Sequence, residues 1–223
     1  MNETAQANPD SAPATGVTFG SLRSVRVRHT ASNIGVALLF FFTLLPHAAR
    51  YGSDLADWIW MIGAALMGIL ALVRVPPTAT AIDTRSILAT AVMMIAPPLL
   101  LNDHSRSTGW LASGALAVEM IGVIVSQGAR FALGRKFALL PANRGIVRRG
   151  PFAVIRHPIY LGWIILTAGY VMAYPNLRNA LALIVTLPFM VWRISLEEDL
   201  LKLDPAYRAY CTSTRWRLIP FLY

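Results

Sequence analysis

The chain has 223 residues, of which 56% are hydrophobic and 14% are charged, and its formal net charge is +9 at pH 7. Soluble domains carry about 25% charged residues, so this composition excludes an ordinary soluble protein and indicates a membrane protein. The single cysteine, Cys211, excludes an internal disulfide and a multi-cysteine metal site, and we expect it to be a spectator thiol.

The N-terminal residues are polar and contain no apolar segment of the kind that a cleavable signal peptide requires. We predict that residues 1–30 form a disordered tail. Residues 31–223 are predicted to form a single integral membrane domain.

Six segments that are almost free of charge follow the tail. They are residues 33–46, 58–73, 86–101, 109–129, 158–174 and 180–192. A helix needs about 20 residues to cross a bilayer, so flanking residues must complete the shorter segments. A membrane-spanning chain must satisfy its backbone polar groups internally. We therefore predict an all-α, polytopic membrane bundle of five to six transmembrane helices with a C-terminal cytoplasmic helical cap.

Glu119 and Gln127 interrupt the fourth apolar segment. A carboxyl group inside a membrane span is by default a functional candidate, and Glu119 could line a substrate cavity. The alternative, which we favour, is a protonated carboxyl group that is hydrogen-bonded to a neighbouring helix.

The basic residues are distributed unevenly between the loops. If the helices alternate and the N-terminus is cytoplasmic, 17 of the 20 Lys and Arg residues fall on the cytoplasmic side. The three exceptions are Arg50, Arg106 and Arg178. This bias follows the positive-inside rule. The basic charge therefore indicates two cytoplasmic termini and contact with anionic lipid headgroups, and it does not indicate a nucleic-acid partner.

The first cluster of candidate site residues lies in the sequence GPFAVIRHPIYLG. Pro158 favours the first position of a helix and disfavours helical conformation in the residue before it, which places His157 at the helix cap. Arg156 and the free N–H groups of a helix start suit a carboxylate ligand. Tyr160 would add a hydroxyl and an aromatic face, and Gly162 would allow close approach. An equally weighted alternative is that Arg156 only anchors the membrane surface and His157 only caps the helix.

The second cluster lies in WRISLEEDLLKLDPAYRAY. Arg193 and Glu197 are four residues apart and share a helix face. The adjacent Glu198 points about 100° away from Glu197, so we expect the two carboxylates to serve different partners. Tyr207 and Tyr210 follow on the next amphipathic turn. The simpler alternatives are a solvated helix face for the acids and interfacial anchoring for the tyrosines.

The two clusters, separated by one helical hairpin and followed by RWRLIP, resemble the isoprenylcysteine carboxyl methyltransferase family. They are also similar to the related phospholipid methyltransferases. The resemblance covers about residues 128–220. It implies an integral membrane enzyme that uses S-adenosylmethionine. We also expect the bacterial inner membrane as its location, and we expect no metal because His29, His47 and His104 form no ligand pattern. A lipophilic or membrane-embedded acceptor would be methylated at the cytoplasmic face, in a pocket that the last loop and the tail close.

The resemblance also implies the roles of individual residues. Glu197 and Arg193 would be catalytic, with Glu197 paired to Arg193 near the chemistry. The cofactor-binding residues would be Arg156, His157, Tyr160, Gly162, Glu198, Tyr207 and Tyr210.

Two other functions stay open at this point. One is an NADPH-dependent membrane reductase of the sterol-reductase type, whose C-terminal half is similar to this one. The other is a non-catalytic lipid-binding membrane protein. The sequence also leaves open whether a methyl acceptor would be a carboxylate, an amine or a thiol.

Overall fold

The structure is a computed structural model that describes residues 30–42, 55–99 and 107–223. The N-terminal tail predicted at residues 1–30 lies outside these ranges except for its last residue. The described helices are α1 (Thr30–Phe42), α2 (Leu55–Leu72), α3 (Thr84–Leu99), α4 (Gly109–Leu133), α5 (Pro158–Ala173), α6 (Leu177–Leu201) and α7 (Pro205–Ser213).

The predicted helical architecture is confirmed in outline, because α1 to α6 coincide with the six apolar segments. The predicted number of membrane spans is not confirmed. Among the described helices, two are long and apolar enough to cross a membrane: Gly109–Lys136, which is α4 with its terminal 3₁₀ turn, and α6. Helix α5 has only 16 residues, since Pro158 fixes its start and Pro175 follows shortly after its end.

The all-α prediction also missed a small antiparallel strand pair. Strands β1 (Ala79–Thr80) and β2 (Ala142–Asn143) pair with Ala79 opposite Asn143. Two-residue strands are too short to show an alternation of polar and apolar residues, so they could not be predicted from the sequence. The pair joins the α2–α3 loop to the segment between α4 and α5.

Helices α4 and α5 pack with their backbones nearly in contact. A Cβ atom built on Gly122 of α4 would lie 2.3 Å from the backbone nitrogen of Leu166, and one on Gly162 of α5 would lie 2.5 Å from that of Ser126. Small residues permit this approach in membrane helix pairs, where close packing replaces the hydrophobic effect as the driving force. Glycine at these two positions therefore fixes the distance between the helices.

Glu119 lies in the same helix contact. It is 2% exposed, and its Cγ and backbone nitrogen would each be 2.7 Å from a Cβ built on Gly169. The structure thus places Glu119 between α4 and α5, and it does not belong to the lining of the cavity described below.

The connection between α4 and α5 is held against the C-terminal tail by backbone hydrogen bonds. The N–H groups of Arg156 and His157 donate to the carbonyl oxygens of Trp216 and Arg217, at 2.9 and 2.8 Å. We call residues 137–157 the cover segment and residues 214–223 the tail. These bonds fix the start of α5 at the end of the helix bundle where α6 and α7 meet.

Candidate active site

A cavity of about 260 Å³ lies between the helices and the cover segment. Its apolar lining comes from the membrane helices, and includes Phe40, Met67, Met93, Met94, Val123, Trp163 and Leu166. Its polar lining comes largely from the helix ends and from α7, and includes seven of the nine predicted site residues: Arg156, His157, Tyr160, Arg193, Glu197, Tyr207 and Tyr210. One cavity thus combines an apolar body with a polar end.

The start of α5 has the predicted geometry. His157 is the N-cap residue and Pro158 occupies the first helical position. The His157 side chain makes no capping hydrogen bond, is 5% exposed, and lines the cavity together with Arg156. Both side chains therefore face the cavity at the start of α5.

Glu198 holds this helix start in place. Its carboxylate is fully buried and forms ion pairs with Arg156 and Arg217, each at 3.1 Å, with His157 at 3.3 Å and with Lys202 at 3.4 Å. Three permanent cations share one carboxylate, so the cluster keeps an excess of positive charge that suits an anionic group. Glu198 contacts Arg156 and His157 but is not part of the cavity lining. We predicted that Glu198 binds the cofactor, and direct contact would require it to lie at the cavity surface.

Tyr160 links the two residues that we predicted to be catalytic. The Nε of Arg193 donates to the Tyr160 hydroxyl at 2.8 Å, and this hydroxyl donates to a Glu197 carboxylate oxygen at 2.8 Å. The predicted pairing of Arg193 with Glu197 is thus corrected, because in the described contacts the phenol stands between them. The Arg193 guanidinium is fixed further by the hydroxyl of Thr90 on α3 and the carbonyl oxygen of Leu139. The chain Arg193–Tyr160–Glu197 therefore joins α3, α5, α6 and the cover segment.

The two tyrosines of α7 differ in what their hydroxyl groups contact. Tyr210 donates to the carbonyl oxygen of Phe152 at 2.6 Å, and burial raises its pKa to about 12. Tyr207 is 3% exposed, and its buried hydroxyl has no hydrogen-bond partner among the described residues. Burial, followed by the nearby Glu198 carboxylate, raises the pKa of Tyr207, so its hydroxyl remains a protonated donor. Tyr210 thus fixes the cover segment, whereas Tyr207 offers a free donor to the cavity.

A further contact ties β2 to the start of α7. The Asn143 side chain donates to a carboxylate oxygen of Asp204 at 2.8 Å, and the backbone N–H of Ala206 donates to its other oxygen at 2.8 Å. These hydrogen bonds lower the pKa of Asp204, first through Asn143 and then through Ala206. The cover segment is therefore attached to α7 as well as to the tail.

The region that carries most of these residues is similar to a known protein family. Residues 115–203 match the isoprenylcysteine carboxyl methyltransferase family. This region of the chain is therefore similar to that family. The matched region contains the hydrogen-bonded residues Arg193, Tyr160 and Glu197 and the start of α5, and it ends just before α7.

One known protein and one solved structure are similar to this chain. Protein-S-isoprenylcysteine O-methyltransferase A of Arabidopsis thaliana is 30% identical over 95 residues, which are 40% of this chain and 48% of that protein. The aligned region thus spans about half the length of this curated relative. The structure of the eukaryotic intramembrane Ras methyltransferase ICMT aligns over 89% of this chain and 97% of its own, with 17% sequence identity and a TM-score of 0.47.

Gly162 is placed differently from the other predicted site residues. It faces α4 in the close helix contact and does not line the cavity. A glycine permits close approach of a ligand or of a neighbouring helix for the same reason, which is that it has no side chain. The sequence alone therefore could not show which of the two approaches Gly162.

Three cavity residues on α3 and α4 were not among the predicted site residues. Gln127 and Arg130 of α4 and Thr90 of α3 all line the cavity. The available signal was the spacing of Val123, Gln127 and Arg130, which places the three residues on one face of α4. This spacing is equally typical of a helix face that packs against another helix, so it does not by itself indicate a cavity.

Proposed function

We propose that this protein is an integral membrane methyltransferase that transfers a methyl group from S-adenosylmethionine to a lipophilic acceptor. The observation that carries the proposal is the cavity in the methyltransferase-like domain, with cationic groups and an unpartnered tyrosine hydroxyl at one end and an apolar body at the other. A polar donor and a lipophilic acceptor need this combination in one space. The cytoplasmic bias of the basic residues supports a cavity that opens toward the cytoplasm.

The side chains present fit such a donor. Arg156 and His157 suit its carboxylate, since the Glu198 cluster keeps an excess of positive charge there. The Tyr207 hydroxyl supplies a hydrogen-bond donor without losing a partner in the protein. Glu197 is the carboxylate among the described lining residues, and we assign it to the acceptor.

Bound S-adenosylmethionine supplies a methyl group on a positively charged sulfur. The protein then has to hold acceptor and donor in line and exclude water, and such positioning can contribute roughly 7–11 kcal/mol. The fixed chain Arg193–Tyr160–Glu197 orients the polar groups next to the apolar part of the cavity. For an amine or thiol acceptor, Glu197 would also accept the proton that the acceptor loses.

We expect the purified protein in detergent to bind S-adenosylhomocysteine, and Arg156→Ala to weaken this binding. A charge-assisted hydrogen bond contributes about 1.5–3 kcal/mol, which corresponds to a loss of affinity of about tenfold or more. Titration calorimetry measures it, and Arg215→Ala is the matched control because Arg215 is exposed and lies outside the cavity. Binding of NADPH instead of S-adenosylhomocysteine would favour a reductase. Binding of neither compound would remove the enzymatic proposal.

Glu197→Gln is expected to lower turnover at least tenfold while donor affinity changes less than about threefold. Gln keeps the shape of the side chain but replaces a charge-assisted hydrogen bond with a neutral one, which is roughly half as strong. A decrease of about 10²–10⁴ would indicate that Glu197 also removes a proton from the acceptor. Turnover is measured with labelled donor and a panel of lipids, and Asp199→Asn is the control because Asp199 is the exposed acid next along α6. Normal turnover would limit Glu197 to structure, and parallel loss of donor binding would place it in the donor site.

A further inference from the structure

The charges around the cavity are strongly unbalanced. Among the described residues of its lining there are five permanent cations and one carboxylate, Glu197. The cations are Arg130, Lys136, Arg144, Arg156 and Arg193. Arg156 has Glu198 beside it, and Arg193 is bound to Tyr160. A positively charged methyl donor would add to this excess, so a balancing negative charge has to come from another ligand.

Part of the Arg130 guanidinium is unsatisfied among the described residues, and Arg130 lines the cavity. Its Nη1 donates to the Ser126 hydroxyl at 3.2 Å, while its Nε is buried and has no hydrogen-bond partner. The described residues provide it with no carboxylate. Burying a charge without a counter-charge is costly, and an anionic ligand at Arg130 would remove that cost.

Arg130 lies on the same face of α4 as two other cavity residues. Val123, Gln127 and Arg130 follow one another along one face of α4, and all three line the cavity. A ligand that lies along this face has apolar surroundings at Val123 and Trp163 and meets a guanidinium at its other end. This is the arrangement that a single-chain amphiphile with an anionic head requires.

We propose that Arg130 binds an anionic group of the methyl acceptor and so determines which lipids the protein accepts. The anionic group is a carboxylate or a phosphate, because both accept hydrogen bonds from the planar guanidinium in the same way. The inference rests on the proposed methyltransferase function and adds to it a binding subsite for the acceptor on α4. Arg130 acts on the position of the acceptor, not on the bond that forms.

The test uses three brominated probes of equal chain length in nanodiscs: 11-bromoundecanoate, 11-bromoundecyl phosphate and the neutral 11-bromoundecanol. Bromine quenches tryptophan fluorescence, and Trp163 lines the cavity, so the difference from Trp163→Phe isolates the signal of the cavity. We expect one or both anions to bind about tenfold or more tightly than the alcohol. The preference should vanish in Arg130→Gln and largely persist in Arg130→Lys. The control is Arg135→Gln, since Arg135 is exposed at the same end of α4 and lies outside the cavity.

The relative affinities of carboxylate and phosphate identify which of the two acceptor chemistries the subsite prefers. Equal binding of all three probes, or an unchanged preference in Arg130→Gln, overturns the proposal. Binding of S-adenosylhomocysteine is measured in the same samples and should not change in Arg130→Gln; its loss would move Arg130 to the donor site and also overturn the proposal. If the wild-type protein fails to bind S-adenosylhomocysteine, the proposed function fails, while the anion preference is still judged by the probes.

Discussion

Glu198→Gln is expected to abolish measurable donor binding and to destabilise the protein. The substitution leaves Arg156, His157, Lys202 and Arg217 around a neutral, fully buried side chain. Breaking a buried ion pair by removing one partner typically costs 3–5 kcal/mol. The helix start of α5 and the tail would both lose the group that holds them together. Thermal unfolding in detergent and calorimetry with S-adenosylhomocysteine measure the two effects.

Two further variants separate this role from a general loss of folding. Lys202→Ala removes the most exposed cation of the cluster, with 41% of its side chain accessible, and should change stability by less than about 1 kcal/mol. Glu198→Asp keeps the charge and should retain part of the stability and the donor affinity. Wild-type stability together with wild-type donor affinity in Glu198→Gln would contradict the role that we assign to this carboxylate.

Gly122→Ala is expected to destabilise the α4–α5 pair by about 1–3 kcal/mol or more, the usual cost of overpacking a tight contact. The added methyl group would lie 2.3 Å from the backbone of Leu166, which cannot move without shifting the helix. The matched control on the same helix is Gly128→Ala, because a Cβ there meets no atom within 4 Å. Alanine at this open helical position should be neutral or stabilising by about 0.5–1 kcal/mol. Equal unfolding temperatures of the two variants would show that the helices do not pack this closely.

Gly162→Ala completes this comparison, since Gly162 was predicted as a cofactor-binding residue. Its missing side chain accommodates Ser126 of α4, so Ala should reduce stability as Gly122→Ala does. The folded fraction should keep normal affinity for S-adenosylhomocysteine. A stable variant with weakened donor binding would restore Gly162 to the cofactor site.

The sequence by itself determined the features that depend on neighbours in the chain. The apolar segments gave the positions of α1 to α6, because each helix needs a run of residues that can be buried or face lipid. Pro158 gave the start of α5 and the capping position of His157, since the ring restricts its own backbone and that of the preceding residue. The 3.6-residue period also gave the divergence of Glu197 and Glu198, which do contact different partners.

Only the tertiary structure decided what each of these groups contacts. Tyr160 stands between Arg193 and Glu197 because α5 and α6 bring the three side chains together, and no spacing along α6 contains that information. Likewise, Glu198 forms an ion pair with Arg156 at the start of α5, and Arg130 of α4 lines the cavity. A helical period states which residues share a face, but the identity of the neighbour on that face depends on residues distant in the chain. For this reason seven of the nine residues predicted from the sequence line the cavity, while the contacts of each one depend on the packed helices.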